Sequence, residues 1–191
     1  GAVPVFVGVT ADLVIDLDDL AAKLDQAKVL LLSHMRGHIC DMDLLMDMCD
    51  AAGVAVIEDC AHTMGAAWDG VPSGRWGRFG CYSTQTYKHI NSGEGGFLIC
   101  DGAEDMARAI MLSGSYMLFE KHRAAPPPET FAQIKYETPN ISGRMDNLRA
   151  AILRPQLRNL KAQCDAWNAR YWVLDEGLTD TPGLRLVPRP E

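Results

Sequence analysis

The residues of this chain best placed for chemistry are a carboxylate pair and a lysine. Val56-Ile57-Glu58-Asp59 is a short apolar run closing on two acids. That is the pattern of a buried parallel strand whose carboxyl end delivers Asp59 to the rim of an open α/β sheet, where ligands bind. Side chains alternate along a strand, so only one of Glu58 and Asp59 can face the ligand. Lys88 lies five positions beyond Ser83, which ends a predicted strand starting near Phe79. It precedes the glycine-rich Gly93-Glu94-Gly95-Gly96 turn into a further strand, Phe97 to Cys100. An amine on such a strand-end loop can attack an electrophile and afterwards carry a proton. Each residue also has a plain reading. Lysines are mostly solvated, an Asp after a strand often caps a helix, and Ser83 is a loop serine. Gly93, Gly95 and Gly96 permit a tight turn with positive φ. His62, three residues after Asp59, is either structural or a hydrogen-bond donor to a ligand. A rival constellation is a metal site built from His34, His38 and Cys40 with Cys60 and His62. Structural zinc ligands come in paired knuckles or as a helical His-x-x-x-His with a third ligand close by. His34 to His38 instead spans a strand end and a glycine turn, so no metal site is expected and these histidines read as lining a cleft.

The elements that must position these residues alternate. Val3 to Val9 reads as a strand, and Asp16 caps a short amphipathic helix carrying Leu17, Leu20, Ala21 and Leu24. Lys28 to Ser33 is a second strand, and Asp41 to Ala52 a second helix with Leu44, Leu45, Met48 and Cys49 inward and Gly53 as its stop. Alternation of this kind implies right-handed crossovers and a largely parallel sheet of at least four strands. The 93–96 turn is too short for a helical crossover, so the strand after it runs antiparallel. A helix over Ala103 to Leu112 and a long loop from Gly114 to Pro139 follow. Asp146 then starts a long helix carrying Leu148, Ala151, Ile152, Leu157 and Leu160, kinked at Pro155.

With 191 residues, 48% hydrophobic and 23% charged, the chain has the material for one main domain. A net charge of -7 and a pI near 5.2 lack the basic footprint that nucleic acid or an acidic membrane would need. The six cysteines fall mostly inside apolar patterns, which suits reduced thiols and a cytoplasmic location. No apolar run approaches the ~20 residues of a membrane span, and no leader opens the chain. The strand-like start without a methionine and the stop at Val187-Pro188-Arg189-Pro190-Glu191 read as cut ends.

Asp59 with His62, and Ser83 with Lys88 and the glycine turn, carry a specific resemblance, to the PLP-dependent nucleotide-sugar aminotransferases of the DegT/StrS family. Gly1 to Val7 resembles a strand in the middle of that fold, and His34-Met35-Arg36-Gly37-His38 stands where the family has its His-x-x-Gly segment. Asn140-Ile141-Ser142-Gly143-Arg144-Met145-Asp146 resembles the family's Asn-x-x-Arg-Met segment, followed by an Ala-Ala helix and the Gln156-Leu157 pair. The resemblance implies an α/β three-layer sandwich of the PLP-transferase large-domain type, its sheet mostly parallel with one antiparallel strand. The fold would be partial, since members are about twice as long. Residues 1–150 would be the central part of the PLP-binding large domain, and 151–191 a long helix and the start of a small C-terminal domain. Lys88 and Asp59 would be catalytic, and Lys88, Asp59, His62, Ser83 and Asn140 would bind pyridoxal 5'-phosphate. The implied activity moves an amino group, usually from glutamate, onto a nucleotide-linked keto-sugar. It would do so in a homodimer whose active sites are shared through Asn140. Two alternatives stand beside it: a sugar dehydratase of the same family, in which histidine replaces the lysine, and a non-catalytic module that keeps the fold.

Overall fold

The computed structural model describes residues 1–114 and 117–189. Residues 115–116 of the expected long loop and 190–191 of the expected tail lie outside the described residues. The chain opens with an extended segment, then α1 (Leu17–Ala21), β1 (Val29–Ser33) and α2 (Met42–Ala52). Next come β2 (Ala55–Asp59), the two-residue strands β3 (Ala67–Trp68) and β4 (Val71–Pro72), β5 (Phe79–Ser83) and β6 (Gly96–Ile99). Four helices complete it: α3 (Ala103–Ser113), α4 (Phe131–Glu137), α5 (Asn147–Arg158) and α6 (Leu160–Leu178). The main sheet has the order β1-β2-β5-β6, with the first three strands parallel and β6 antiparallel to β5. This is the expected mixed α/β architecture.

Register divides the sheet into two unlike faces. Leu32 pairs with Glu58, and Glu58 with Gly80, so these share one face. Ser33, Asp59 and Cys81 share the other. The first face is the core side: Leu32, Val56 and Glu58 are buried there, and Leu20, Met42, Leu45 and Cys49 of α1 and α2 belong to the same core. The second face is open among the described residues, with Val29 52% and Leu31 68% exposed. In α2, Asp41 accepts from the Leu44 N–H as N-cap and Gly53 closes the helix in the left-handed region, both as expected. Its buried residues are Met42, Leu45 and Cys49, however, and Leu44 is exposed. The true stripe is therefore i, i+3, i+7, rotated from the expected one.

Three further expectations are corrected. Val3 to Val9 forms no strand of the sheet; its one pairing is a bridge from Val9 to Ile15, and Val3 and Phe6 are exposed. A strand needs a partner ladder, and here the backbone is held instead by side chains, with Asp19 accepting from the Gly8 N–H and Lys23 donating to the Phe6 carbonyl. The 114–139 segment is not merely a loop. It contains α4, whose Phe131 and Ile134 are buried against Ala107, Ile110 and Met111 of α3. The last long helix is two helices that break at Asn159, four residues past Pro155, and among Leu148, Ile152, Leu153 and Leu157 only Leu153 is buried. No helix among the described residues is long and apolar enough to cross a membrane.

Candidate active site

Parallel pairing puts the carboxyl ends of β1, β2 and β5 on one rim, and the loops that follow β2 and β5 meet there. Asp59 is half-buried at the end of β2. One of its oxygens accepts from the Ala61 N–H at 3.1 Å and the other from the Ser33 hydroxyl at 3.3 Å. Glu58 points the opposite way and is fully buried. His34 meets one of its oxygens at 3.1 Å, and the Gly74, Trp76 and Gly77 amides donate to the carboxylate at 2.7 to 2.9 Å. Burial by itself would raise the Glu58 pKa, but the hydrogen bonds from His34, Gly77 and Gly74 outweigh it and hold it below the usual carboxylate range. His34, Glu58 and Cys60 have ligand-type atoms within 4.8 Å of one another. The Glu58 oxygens are already engaged by these four donors, and burial pushes the Cys60 thiol up to about 11, so the cluster reads as a buried lock on the 73–77 loop. Sequence reasoning left Glu58 as a bystander. Its parity already placed it on the core face, where a carboxylate has to find partners.

Lys88 sits in a loop whose two limbs are tied together. Thr84 N–H donates to the Gly95 carbonyl, Ser92 N–H to the Thr84 carbonyl and Thr86 N–H to the Gly93 carbonyl, at 2.9 to 3.0 Å. Gly93 and Gly95 have positive φ, and a Cβ on Gly95 would lie 2.7 Å from the Thr84 hydroxyl, so the turn requires glycine there. Ser83 accepts from the Gln85 N–H at 3.2 Å, and the Lys88 N–H donates to the Gln85 carbonyl. The half-buried Lys88 side chain forms no ion pair among the described residues. Past the lysine, Ile90 is buried, and the Gln156 side chain from α5 grips Asn91 twice. It accepts the Asn91 N–H at 2.9 Å and donates to the Asn91 carbonyl at 2.8 Å.

His62 accepts the Arg36 backbone N–H on Nδ1 at 2.9 Å, so its proton is on Nε2 and that nitrogen is a donor. Its pKa is lowered, by burial first and then by the Lys88 and Arg36 charges, against the opposing pull of Asp59. His62 therefore feels the charges of both Asp59 and Lys88. Together with Ser83, their chemistry fits pyridoxal phosphate: a carboxylate for the ring nitrogen, an N–H for the ring oxygen, a hydroxyl for the phosphate and an amine for the aldehyde. Asn140 is not brought to this group by its contacts. Its carboxamide oxygen closes its own turn on the Ser142 N–H at 2.8 Å, beside Gly114 at the end of α3. Gln156, which grips the lysine loop, and His89 within it are further residues at the site to which sequence reasoning assigned no role. The Gln-Leu pair at 156–157 was the available signal for the first.

The DegT/DnrJ/EryC1/StrS aminotransferase family profile matches residues 1–191. The chain is similar to the L-glutamine:2-deoxy-scyllo-inosose aminotransferase of Streptomyces lividus, 32% identical over 187 residues that make up 95% of this chain and 43% of that protein. It is also similar to the L-glutamine:scyllo-inosose aminotransferase of Streptomyces griseus, 32% identical over 167 residues, 84% of this chain and 37% of the relative. Among solved structures, AtS13 from Actinomadura melliaura matches with a TM-score of 0.78 and 33% identity over 97% of this chain and 50% of its own. The chain thus spans half or less of the length of these three.

Proposed function

The chain belongs to the DegT/DnrJ/EryC1/StrS aminotransferase family, and from that premise we propose that it carries the cofactor lysine of an enzyme transferring an amino group to the ketone of a polyhydroxylated ring. The observation that supports this reading is the placement of Asp59 at the carboxyl end of β2 and of Lys88 in the loop after the neighbouring β5, with His62 feeling both charges and its tautomer set by the Arg36 amide. Pyridoxal phosphate, when bound, supplies an electrophilic aldehyde and a ring that takes up electron density from the substrate. Lys88 anchors it and carries the proton at the substrate carbon. Asp59 holds the ring nitrogen protonated, His62 donates to the ring oxygen, and Ser83 binds phosphate. Asn140 serves the site of a second subunit, and residues 1–150 form the cofactor-binding part of the fold. The donor is glutamate and the acceptor a nucleotide-linked keto-sugar. A second reading, with L-glutamine as donor and a free cyclic ketone as acceptor, is supported by the names of the two Streptomyces relatives. A dehydratase reading is disfavoured by the lysine itself, since the resembling dehydratases carry histidine in its place.

The test is chemical. Borohydride reduction of the cofactor-loaded full-length protein should fix the cofactor on the peptide containing Lys88, read by mass spectrometry. Labelling of Lys121 or Lys135 instead, or of no lysine, would sink the assignment. A non-catalytic module would take the label yet transfer no amino group.

A further inference from the structure

The cleft beside the lysine loop holds a second histidine with a defined tautomer. His89 Nδ1 lies 3.1 Å from the Met64 carbonyl oxygen. A carbonyl can only accept, so Nδ1 carries the proton and Nε2 of the neutral ring is an acceptor. The imidazole is further held by Trp167 of α6, with ring centroids 4.8 Å apart at a tilt of 39°. His62, whose Nε2 is a donor, lines the same cleft, a space of about 770 Å³ that also exposes Trp68, Tyr171 and Asn168. Tyr171 is in turn fixed, its hydroxyl bonding Asp175 at 3.3 Å and Arg189 lying 5.0 Å over its ring.

This combination selects among ligands. Aromatic walls offer flat apolar surface to the C–H face of a saturated ring, while a donor and an acceptor held by the backbone suit groups at the ring edge. A purely apolar ligand would cover the His89 acceptor and leave it unpaired, which costs binding energy. A ring bearing hydroxyls satisfies it. We propose, resting on the second amino-transfer reading above, that of a free cyclic ketone, that His89 is a specificity-determining residue whose Nε2 accepts a hydrogen bond from a hydroxyl of a saturated, polyhydroxylated cyclic ketone bound in this cleft. The backbone contact to Met64 is central to this role. Because it fixes which nitrogen is bare, His89 discriminates for a hydroxyl and against an unsubstituted ring carbon.

The test titrates the cofactor-loaded full-length protein with scyllo-inosose in the absence of an amino donor, following tryptophan fluorescence. Saturable binding is expected. His89→Phe keeps a ring against Trp167 but has no acceptor, and should weaken binding at least about tenfold. His89→Gln, which restores an acceptor oxygen, should stay within about threefold. Cyclohexanone, the same ring without hydroxyls, should bind the unaltered protein at least about tenfold more weakly, a comparison that needs no variant to fold. Equal affinity for the two ketones, or an undiminished affinity in His89→Phe, would overturn the proposal. So would saturable binding of uridine diphosphate with none of scyllo-inosose, which would make this a nucleotide site. Borohydride labelling of Lys88 in the same samples reports the cofactor separately. Amino transfer to scyllo-inosose, assayed in unreduced portions of the same samples once L-glutamine is added, reports the activity. Failure of the amino-transfer reading thus appears in the labelling or in that assay, and failure of the His89 assignment in the titrations.

Discussion

One peptide bond separates two carboxylates with opposite surroundings. Glu58 is fully buried, engaged by His34 and three backbone amides, and these bonds hold the 73–77 loop against the sheet. Asp59 is half-buried on the other face, bonded to Ser33 and the Ala61 amide, with its carboxylate at the rim. Substitution by the matching amide should therefore have unlike effects. Glu58→Gln turns an amide NH2 toward amide donors and should destabilise the fold by about 3 kcal/mol, read by urea denaturation, because it breaks a buried charge network. Asp59→Asn should leave the urea midpoint near that of the unaltered protein and lower amino-transfer turnover by about 100-fold, the scale of losing a preorganised charge at a reacting centre. Equal losses of stability in the two variants would contradict the two-faced strand.

The element that matters most is the 84–95 loop, which holds the lysine without being a helix or a strand. It is tied at its neck by backbone bonds, plugged by Ile90 and gripped at Asn91 by Gln156 from α5. Gln156 substitutes for a missing strand, since its amide presents one donor and one acceptor to a single residue's backbone. Gln156→Leu should cost about 1 to 2 kcal/mol. Its diagnostic effect is local: amide hydrogen exchange should quicken in the peptide spanning 85–95 and stay unchanged in β1 and β2. Uniformly faster exchange would mean that the glutamine supports the whole fold instead of the loop.

At the scale of the molecule, Asn140 makes its contacts beside α3, although Met145 of the same segment reaches the lysine loop at Gly95. Its amide oxygen serves its own turn, while Arg144 donates to the Gly114 carbonyl at 3.0 Å and anchors the segment to the end of α3. If Asn140 binds the cofactor as proposed, a site shared between two subunits would account for its being held at such a place. Mixing Lys88→Ala subunits with Asn140→Ala subunits should then restore activity to about a quarter of the unaltered level, the share expected from random pairing with one intact site per mixed dimer. Mixed dimers that form and stay inactive would return Asn140 to the role of a turn residue.

Local rules reached a good part of this protein. Strand parity alone sent Glu58 and Asp59 to opposite faces, and the positive-φ turn at Gly93 and Gly95 was legible too, because both depend only on the nearest few residues. The caps of α2 at Asp41 and Gly53 were legible for the same reason. What an element packs against was not legible. Val3 to Val9 has the composition of a strand but no ladder partner among the described residues, and α2 turns Met42 inward where Leu44 was expected. The contacts around the lysine were hidden more deeply. Gln156 lies 65 residues from Asn91, and Trp167 meets His89 across a comparable distance in the chain. Those pairings come from where α5 and α6 pack against the 84–95 loop, and the tautomers of His62 and His89 follow from backbone groups that only the tertiary structure brings within hydrogen-bonding reach.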